Sequence, residues 1–537
     1  MKKLLAALAL AALALRLAFL GRGVGAVDRL FVPDDTYYTL AIARSLAQGL
    51  GPSADGVVLT SGFQPLIAFL LVPVFWFSRA LETPIYASWI LGSVADALST
   101  FLLGALAARI GGRRAGVATA LLWGCSSIAI ANALNGLETS LALALELGLV
   151  SAWLWVRRGP RLQAYAVVGV LAGLAMLARI DALFLVLVFG VFELWQRRLR
   201  EVAFAAGAAF VVVAPWWIYC LIHFGSFVPE SGAAVHELVA LHREQYLTLP
   251  WALGWAAGNV LLSPFVEAPG LSALASSDPV FGVGLWLVFL LLGVFLTHRL
   301  VARRVGWCSP YVAFAAFGLV LFCFYSFYLP ALWFFRRYFA PVHAYSALCL
   351  GLGFAFALRR AKSSRWARSA LGVLASAAFL LVVKTGLFLI LVPNSSVDEG
   401  LHGAKGYRAA ARQVLALVPR DAVVGALQSG ALAYFANGCP QVVGLDGVVD
   451  SAAARGVRER NLADYAAARG VTHFADWPFN RATFESVSQN ARWKPTEFQP
   501  VGAAKPQGND RFEVAQLVWP AETPKPAPQR ARRCGAP

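Results

Sequence analysis

Charge is what this sequence has least of. Only 14% of its 537 residues are Asp, Glu, Lys or Arg, while 59% are apolar; an average soluble domain has roughly 25% charged residues. So much apolar material excludes a disordered chain. Acids are the scarcer sign, 29 against 46 Lys and Arg, for a net charge of +17. A soluble nucleic-acid binder carries such an excess on a surface rich in acids and amides, which is not the composition here. Cysteine is sparse as well. Cys125, Cys220, Cys308, Cys323 and Cys349 fall in apolar runs, where a small apolar side chain needs no special role, and only Cys439 and Cys534 are placed for a disulfide. The glycines Gly425, Gly430 and Gly438 lack the spacing of a dinucleotide-binding turn. A metalloprotease HExxH is missing too, because His236 and His242 stand six residues apart and so on different helix faces.

What the sequence does have is long apolar runs. Stretches of about 17 to 25 apolar residues cross a bilayer core as helices, and eleven candidates are present. The first, Leu4 to Leu20, follows Lys2 and Lys3 and lacks a small-residue cleavage site, so it reads as an uncleaved anchor. The others are Ile85 to Ala108, Ala115 to Leu134, Thr139 to Val156, Leu162 to Leu177, Ala182 to Trp195, Val202 to Ile222, Phe281 to Thr297, Pro310 to Leu329, Tyr338 to Leu358 and Ser369 to Val392.

The basic residues orient these spans. With the N-terminus in the cytoplasm, every second loop is basic: Arg109 to Arg114, Arg157 to Arg161, Arg197 to Arg200, Arg299 to Arg304 and Arg359 to Arg368. With Lys2 and Lys3 that side holds 19 positive charges against one acid, Glu201. This is the positive-inside pattern. The excess of basic residues is therefore an orientation signal, and the expected location is a cytoplasmic (inner) membrane crossed many times.

Residues 1–392 thus form a transmembrane module. Residues 393–520 read as an extracytoplasmic α/β domain, with strands at Val423 to Leu427, Gln441 to Leu445 and Val471 to Ala475 and helices at Gly430 to Ala436 and Leu462 to Arg469. Residues 521–537, rich in Pro, Ala and Arg, read as a disordered tail.

The informative charges are those that the orientation rule leaves over. Asp34 and Asp35 open the first external loop in Pro33-Asp34-Asp35-Thr36-Tyr37-Tyr38, and the loop continues to Gly62-Phe63-Gln64. Glu138 lies in the turn Asn135-Gly136-Leu137-Glu138, and Arg179 and Asp181 share another. Each acid could simply cap a helix, and one of two adjacent acids can cap while the other faces a cleft. Capping does not explain Arg179, nor Arg336, Arg337 and Lys384, which also fall on the outer side. Cations there either snorkel to headgroups or, beside carboxylates, hold a lipid phosphate. Inside the spans, Arg16, Asp96 and Glu146 are read most economically through an ion pair of Arg16 with Asp96. The loop His223 to Val280, with His236 and Glu237, reads as a solvated helix or a cover over the site.

Several of these segments resemble one family. Pro33-Asp34-Asp35-Thr36-Tyr37-Tyr38, then Ala41-Ile42-Ala43-Arg44 and Gly49-Leu50-Gly51, is similar to the first external loop of GT-C membrane glycosyltransferases. The likeness is to bacterial relatives of protein O-mannosyltransferases and of the lipid A aminoarabinose transferase, that is, to glycosyltransferase family 39-like proteins. Asn135-Gly136-Leu137-Glu138-Thr139, Leu177-Ala178-Arg179-Ile180-Asp181-Ala182, Arg337-Tyr338-Phe339-Ala340-Pro341, Gly430 to Phe435 and Leu445-Asp446-Gly447 extend the resemblance to about residue 475. Where relatives often have His after the aromatic residue of the first loop, this chain has Gln64. The resemblance implies a polytopic α-helical GT-C fold. It also implies transfer of a sugar from a polyprenyl-phosphate donor to a lipid, glycan or protein acceptor on the outer side of the membrane, with inversion at the anomeric carbon following from a single displacement. Asp34, Asp35 and Glu138 are then the expected catalytic acids, and Tyr37, Tyr38, Gln64, Arg179, Asp181, Arg336, Arg337 and Lys384 the expected substrate contacts. A divalent metal ion, if one takes part, is expected on Asp34 and Glu138. A transporter or flippase of envelope precursors is the alternative from another class, but it calls for repeated halves and midplane charges, and no internal repeat is found. A non-enzymatic envelope assembly protein is the third reading.

Overall fold

The computed structural model describes residues 1–159, 162–245, 248–262, 309–331, 334–360, 406–505 and 511–524, with isolated positions between 278 and 369. The N-terminal helix α1 (Lys2–Leu20) is followed by two short helices, α2 (Val24–Phe31) and α3 (Asp34–Ala47), and by the apolar α4 (Pro65–Phe77). Then come α5 (Glu82–Gly111), α6 (Arg113–Gly124), α7 (Ser127–Leu134), α8 (Thr139–Val156), α9 (Ala164–Ala178), α10 (Ala182–Trp195) and α11 (Leu199–Phe224). Next are α12 (Glu230–Gln245), α13 (Leu249–Leu262), α14 (Pro310–Cys323), which runs into a π-helical turn Phe324–Tyr328, and α15 (Ala340–Arg360).

Among the described residues, six helices are long and apolar enough to cross a membrane, and a seventh span is formed if α6 and α7 are taken together across their 55° bend. Helices α4, α9 and α10 are apolar but shorter. The protein is a multi-pass membrane protein. Each expected span within the described residues is helical, but the segment Ala115 to Leu134 is broken rather than continuous. The expected spans at 281–297 and 369–392 lie almost wholly outside the described residues, so the number eleven is an expectation still.

The bend is held by the intramembrane ion pair. Breaking a helix frees backbone carbonyls that hydrocarbon cannot satisfy. Arg16 Nη1 donates to Gly124 O, at the end of α6, at 2.6 Å, and its Nη2 lies 2.7 Å from Asp96 Oδ2. Asp96 also accepts from the Trp123 indole at 3.0 Å. The expected pairing of Arg16 with Asp96 is thus present, and it sits where the freed carbonyl needs a donor.

The C-terminal domain contains α16 (Tyr407–Leu417), β1 (Val423–Ala426), α17 (Gly430–Ala436), β2 (Gln441–Gly444), α18 (Ser451–Glu459), α19 (Leu462–Ala468), β3 (His473–Asp476), α20 (Pro478–Ser486), β4 (Glu497–Ala504) and β5 (Phe512–Val518). The sheet order is β2-β1-β3-β5-β4, parallel over β2, β1 and β3 and antiparallel over β3, β5 and β4. The parallel half matches the expected strands. Cys439 is disulfide-bonded, and Cys534 lies outside the described residues.

Candidate functional site

Helix α3 joins the two parts of the molecule. Its N-terminus follows Pro33, which is extended, and neither acid caps the helix itself. Successive residues on a helix point about 100° apart, so Asp34 and Asp35 face different neighbours. Asp34 is 4% exposed, and its two oxygens accept the Gly430 and Ala431 N–H groups at 2.7 and 2.8 Å. It therefore caps α17, not α3. Burial pushes its carboxyl up to about 7 despite those two hydrogen bonds, with Asp35 and Asp476 adding to the rise. At the far end of α17, Arg44 donates to Tyr434 O at 2.8 Å and Ala433 O at 3.3 Å. One helix thus places an acid at the positive end and a cation at the negative end of another.

The tyrosines after the acids also face the domain. Tyr37 donates to Asp28 Oδ1 at 2.5 Å and packs its ring on Tyr434 and Phe435. The Tyr38 hydroxyl meets Ser429 Oγ at 3.0 Å and Asp446 Oδ2 at 3.2 Å. Burial holds Asp446 well above the ordinary carboxylate range, and Asp34 and Asp35 push the same way.

Asp35 turns the other way, into a cavity of about 530 Å³. Its Oδ2 lies 2.7 Å from Arg337 Nη2, whose guanidinium stands 4.4 Å from the Phe334 ring centre. Across the cavity, Glu138 Oε1 accepts from Arg179 Nη1 at 2.9 Å, and Arg179 grips Asp181 with Nε at 3.1 Å and Nη2 at 2.7 Å. Arg179 also lies over the Tyr338 ring at 4.9 Å. Tyr325, in the π-helical turn, donates to Asp181 Oδ2 at 2.5 Å. Gly136 makes the turn before Glu138: its φ is +77°, and a Cβ there would stand 2.5 Å from Thr36.

Asp35, Tyr38, Gln64, Glu138, Arg179, Asp181 and Arg337 all line this cavity. Asp34, Tyr37 and Arg336 are not among its walls; the Arg336 carbonyl accepts from Asn132 at 3.4 Å. Lys384 lies outside the described residues. His236 and Glu237 line the cavity from α12. That helix is anchored through Glu230, which accepts from Thr60 Oγ1 and the Ser61 N–H, both at 3.2 Å. Tyr325 and Tyr338 were not legible as site residues, since a tyrosine at the end of an apolar run reads as interface packing.

The two residues expected for a metal ion are not brought together on one cavity: Glu138 lines it and Asp34 does not. Both Asp34 oxygens are taken by N–H donors and Glu138 is bound to Arg179. Among the described residues, no three His, Cys, Asp or Glu side chains are grouped to hold a metal ion.

No family model matches the chain, and no curated protein matches it in sequence. Its structure is similar to the crystal structure of ArnT from Cupriavidus metallidurans bound to undecaprenyl phosphate, at 14% identity and a TM-score of 0.55, over 98% of this chain and 99% of that one. It is also similar to the Archaeoglobus fulgidus oligosaccharyltransferase tethered with an acceptor peptide, at 13% identity and a TM-score of 0.51, over 94% of this chain and 74% of that one. With helices, cavity and C-terminal domain in this arrangement, the chain has a GT-C-like fold, shared with these two structures.

Proposed function

We propose that the protein transfers a sugar from a polyprenyl-phosphate donor to an acceptor hydroxyl on the extracytoplasmic side of the membrane. The observation that carries this reading is the convergence of Asp35, Glu138, Arg179, Asp181 and Arg337 on one largely apolar cavity. The undecaprenyl phosphate bound to ArnT supports a lipid-linked donor.

In this reading the donor phosphate draws Arg337 away from Asp35, because a guanidinium binds phosphate through paired N–H donors. The freed Asp35 carboxylate takes the proton of the acceptor hydroxyl. That oxygen forms a bond to the anomeric carbon as the bond from this carbon to the phosphate oxygen breaks, with inversion. Arg337 and Arg179 stabilise the charge that collects on the departing phosphate. Asp34, turned away from the cavity, positions α3 on the C-terminal domain.

The test is transfer from labelled polyprenyl-phosphate sugars by purified protein. General-base assistance contributes roughly 10² to 10⁴ in rate, so Asp35→Asn should lose activity on that scale with little change in thermal stability. Full activity in Asp35→Asn would remove it as the base. Transport of a lipid-linked sugar with no transfer would favour the transporter reading.

A further inference from the structure

A second cavity lies at the opposite end of the helical body. Helix α5 starts beside the C-terminal domain, where Glu82 pairs with Arg408 and Arg412. It runs for 30 residues, about 45 Å at 1.5 Å per residue, and Arg109 is in its last turn. There the end of α8, continued by Arg157 and Arg158, and the start of α14 border an open hollow of about 660 Å³.

The described walls of this cavity include Arg109, Arg157, Arg158, Ser309 and Tyr311, and no acid. Arg157 is committed to its neighbours, with Nε 3.7 Å from Glu193 and a hydrogen bond to Gln196. Arg109 and Arg158 are exposed and have no hydrogen bond or ion pair from their side chains to any described residue. Tyr311 is buried in the wall, its hydroxyl bonded to Leu106 O at 3.0 Å. The positive end of α14, a helix of 14 residues, opens onto the same space. Ile110, Leu154 and Val305 supply apolar wall, and the neighbouring Trp155 is 57% exposed, as expected of an aromatic side chain at a membrane interface.

An orientation signal requires positive charge in a loop. It does not require arginines from different parts of the chain to meet around one hollow with no acid among its described walls. We propose that this cavity binds a phosphate group, held between Arg109 and Arg158, and that an anionic membrane lipid supplies it. Basic pockets between spans recognise lipid headgroups through this chemistry.

The test uses the full-length protein in neutral detergent, titrated with phosphatidylglycerol, phosphatidylcholine or inorganic phosphate and followed by native mass spectrometry and thermal unfolding. Arg109→Gln/Arg158→Gln is compared with Arg113→Gln/Arg114→Gln, which removes equal charge from exposed positions nearby. Phosphatidylglycerol should bind in preference to phosphatidylcholine, and should bind about tenfold or more weakly to the first variant only. Binding of inorganic phosphate alone, lost in the same variant, would keep the phosphate site but assign it to a soluble anion. Equal losses in both variants, or no preference for the anionic lipid, would overturn the proposal. Should the double variant fail to fold, the single variants Arg109→Gln and Arg158→Gln carry the same comparison.

Discussion

Two adjacent carboxylates on one helix turn do different work because a helix sends neighbours in different directions. Asp34 is buried against two N–H groups, whereas the Asp35 side chain is 35% exposed in the cavity. Burial also couples Asp34 to pH. Its carboxyl is raised from 3.8 to about 7, so the folded protein holds a proton that the unfolded chain releases. The resulting stability is fully present below about pH 4 and is lost as pH rises through about 7. Replacing Asp34 with Asn should flatten the fall of the thermal midpoint across that interval, while an unchanged pH profile would separate the carboxyl from it. The acid pair was legible in the sequence. Which acid faces the cavity was not, because the deciding donors are 396 and 397 residues away in Gly430 and Ala431.

At the scale of elements, the first loop and the C-terminal domain meet backbone to backbone. A Cβ on Gly62 would stand 1.7 Å from Val448 O, and a carbonyl on a packed loop has no rotamer by which to give way. Gly62→Ala should therefore push the domain from the loop, shift the cavity residues Phe63 and Gln64, and cost roughly 1 to 3 kcal/mol as overpacking does. Thermal unfolding and the transfer assay together measure this; a wild-type midpoint with full transfer would mean that the close approach is dispensable. The parallel strands were readable from short apolar runs between turn residues. Strands β4 and β5 were not, since β4 contains Pro500 and Gly502, has a register shift between them, and lies largely exposed at the sheet edge. Proline in such a run argues against a strand except at an edge, and sequence alone does not say where the edge is.

Across the whole molecule, the apolar runs were legible as membrane-spanning helices and the broken span was not, because Ala115 to Leu134 contains no charge and no proline to mark a break. The bend directs α7 onto α5, where Gly92 gives it room: a Cβ there would stand 2.4 Å from Ala133 O. From there the chain turns through Asn135 and Gly136 to present Glu138. If the Arg16–Asp96 pair exists chiefly to supply a donor to the Gly124 carbonyl, neutralising both charges cannot replace it. Arg16→Met should cost about 3 to 5 kcal/mol, as breaking a buried pair does. Arg16→Met/Asp96→Leu should recover the part due to the orphaned charge, but remain about 1 to 3 kcal/mol below the parent because the Gly124 carbonyl then has no side-chain donor and the Trp123 indole no acceptor. Thermal unfolding of the three proteins separates the terms, and full recovery in the double variant would show that the pair balances charge alone. A residual loss accompanied by weakened transfer would tie the bend to the placement of Glu138.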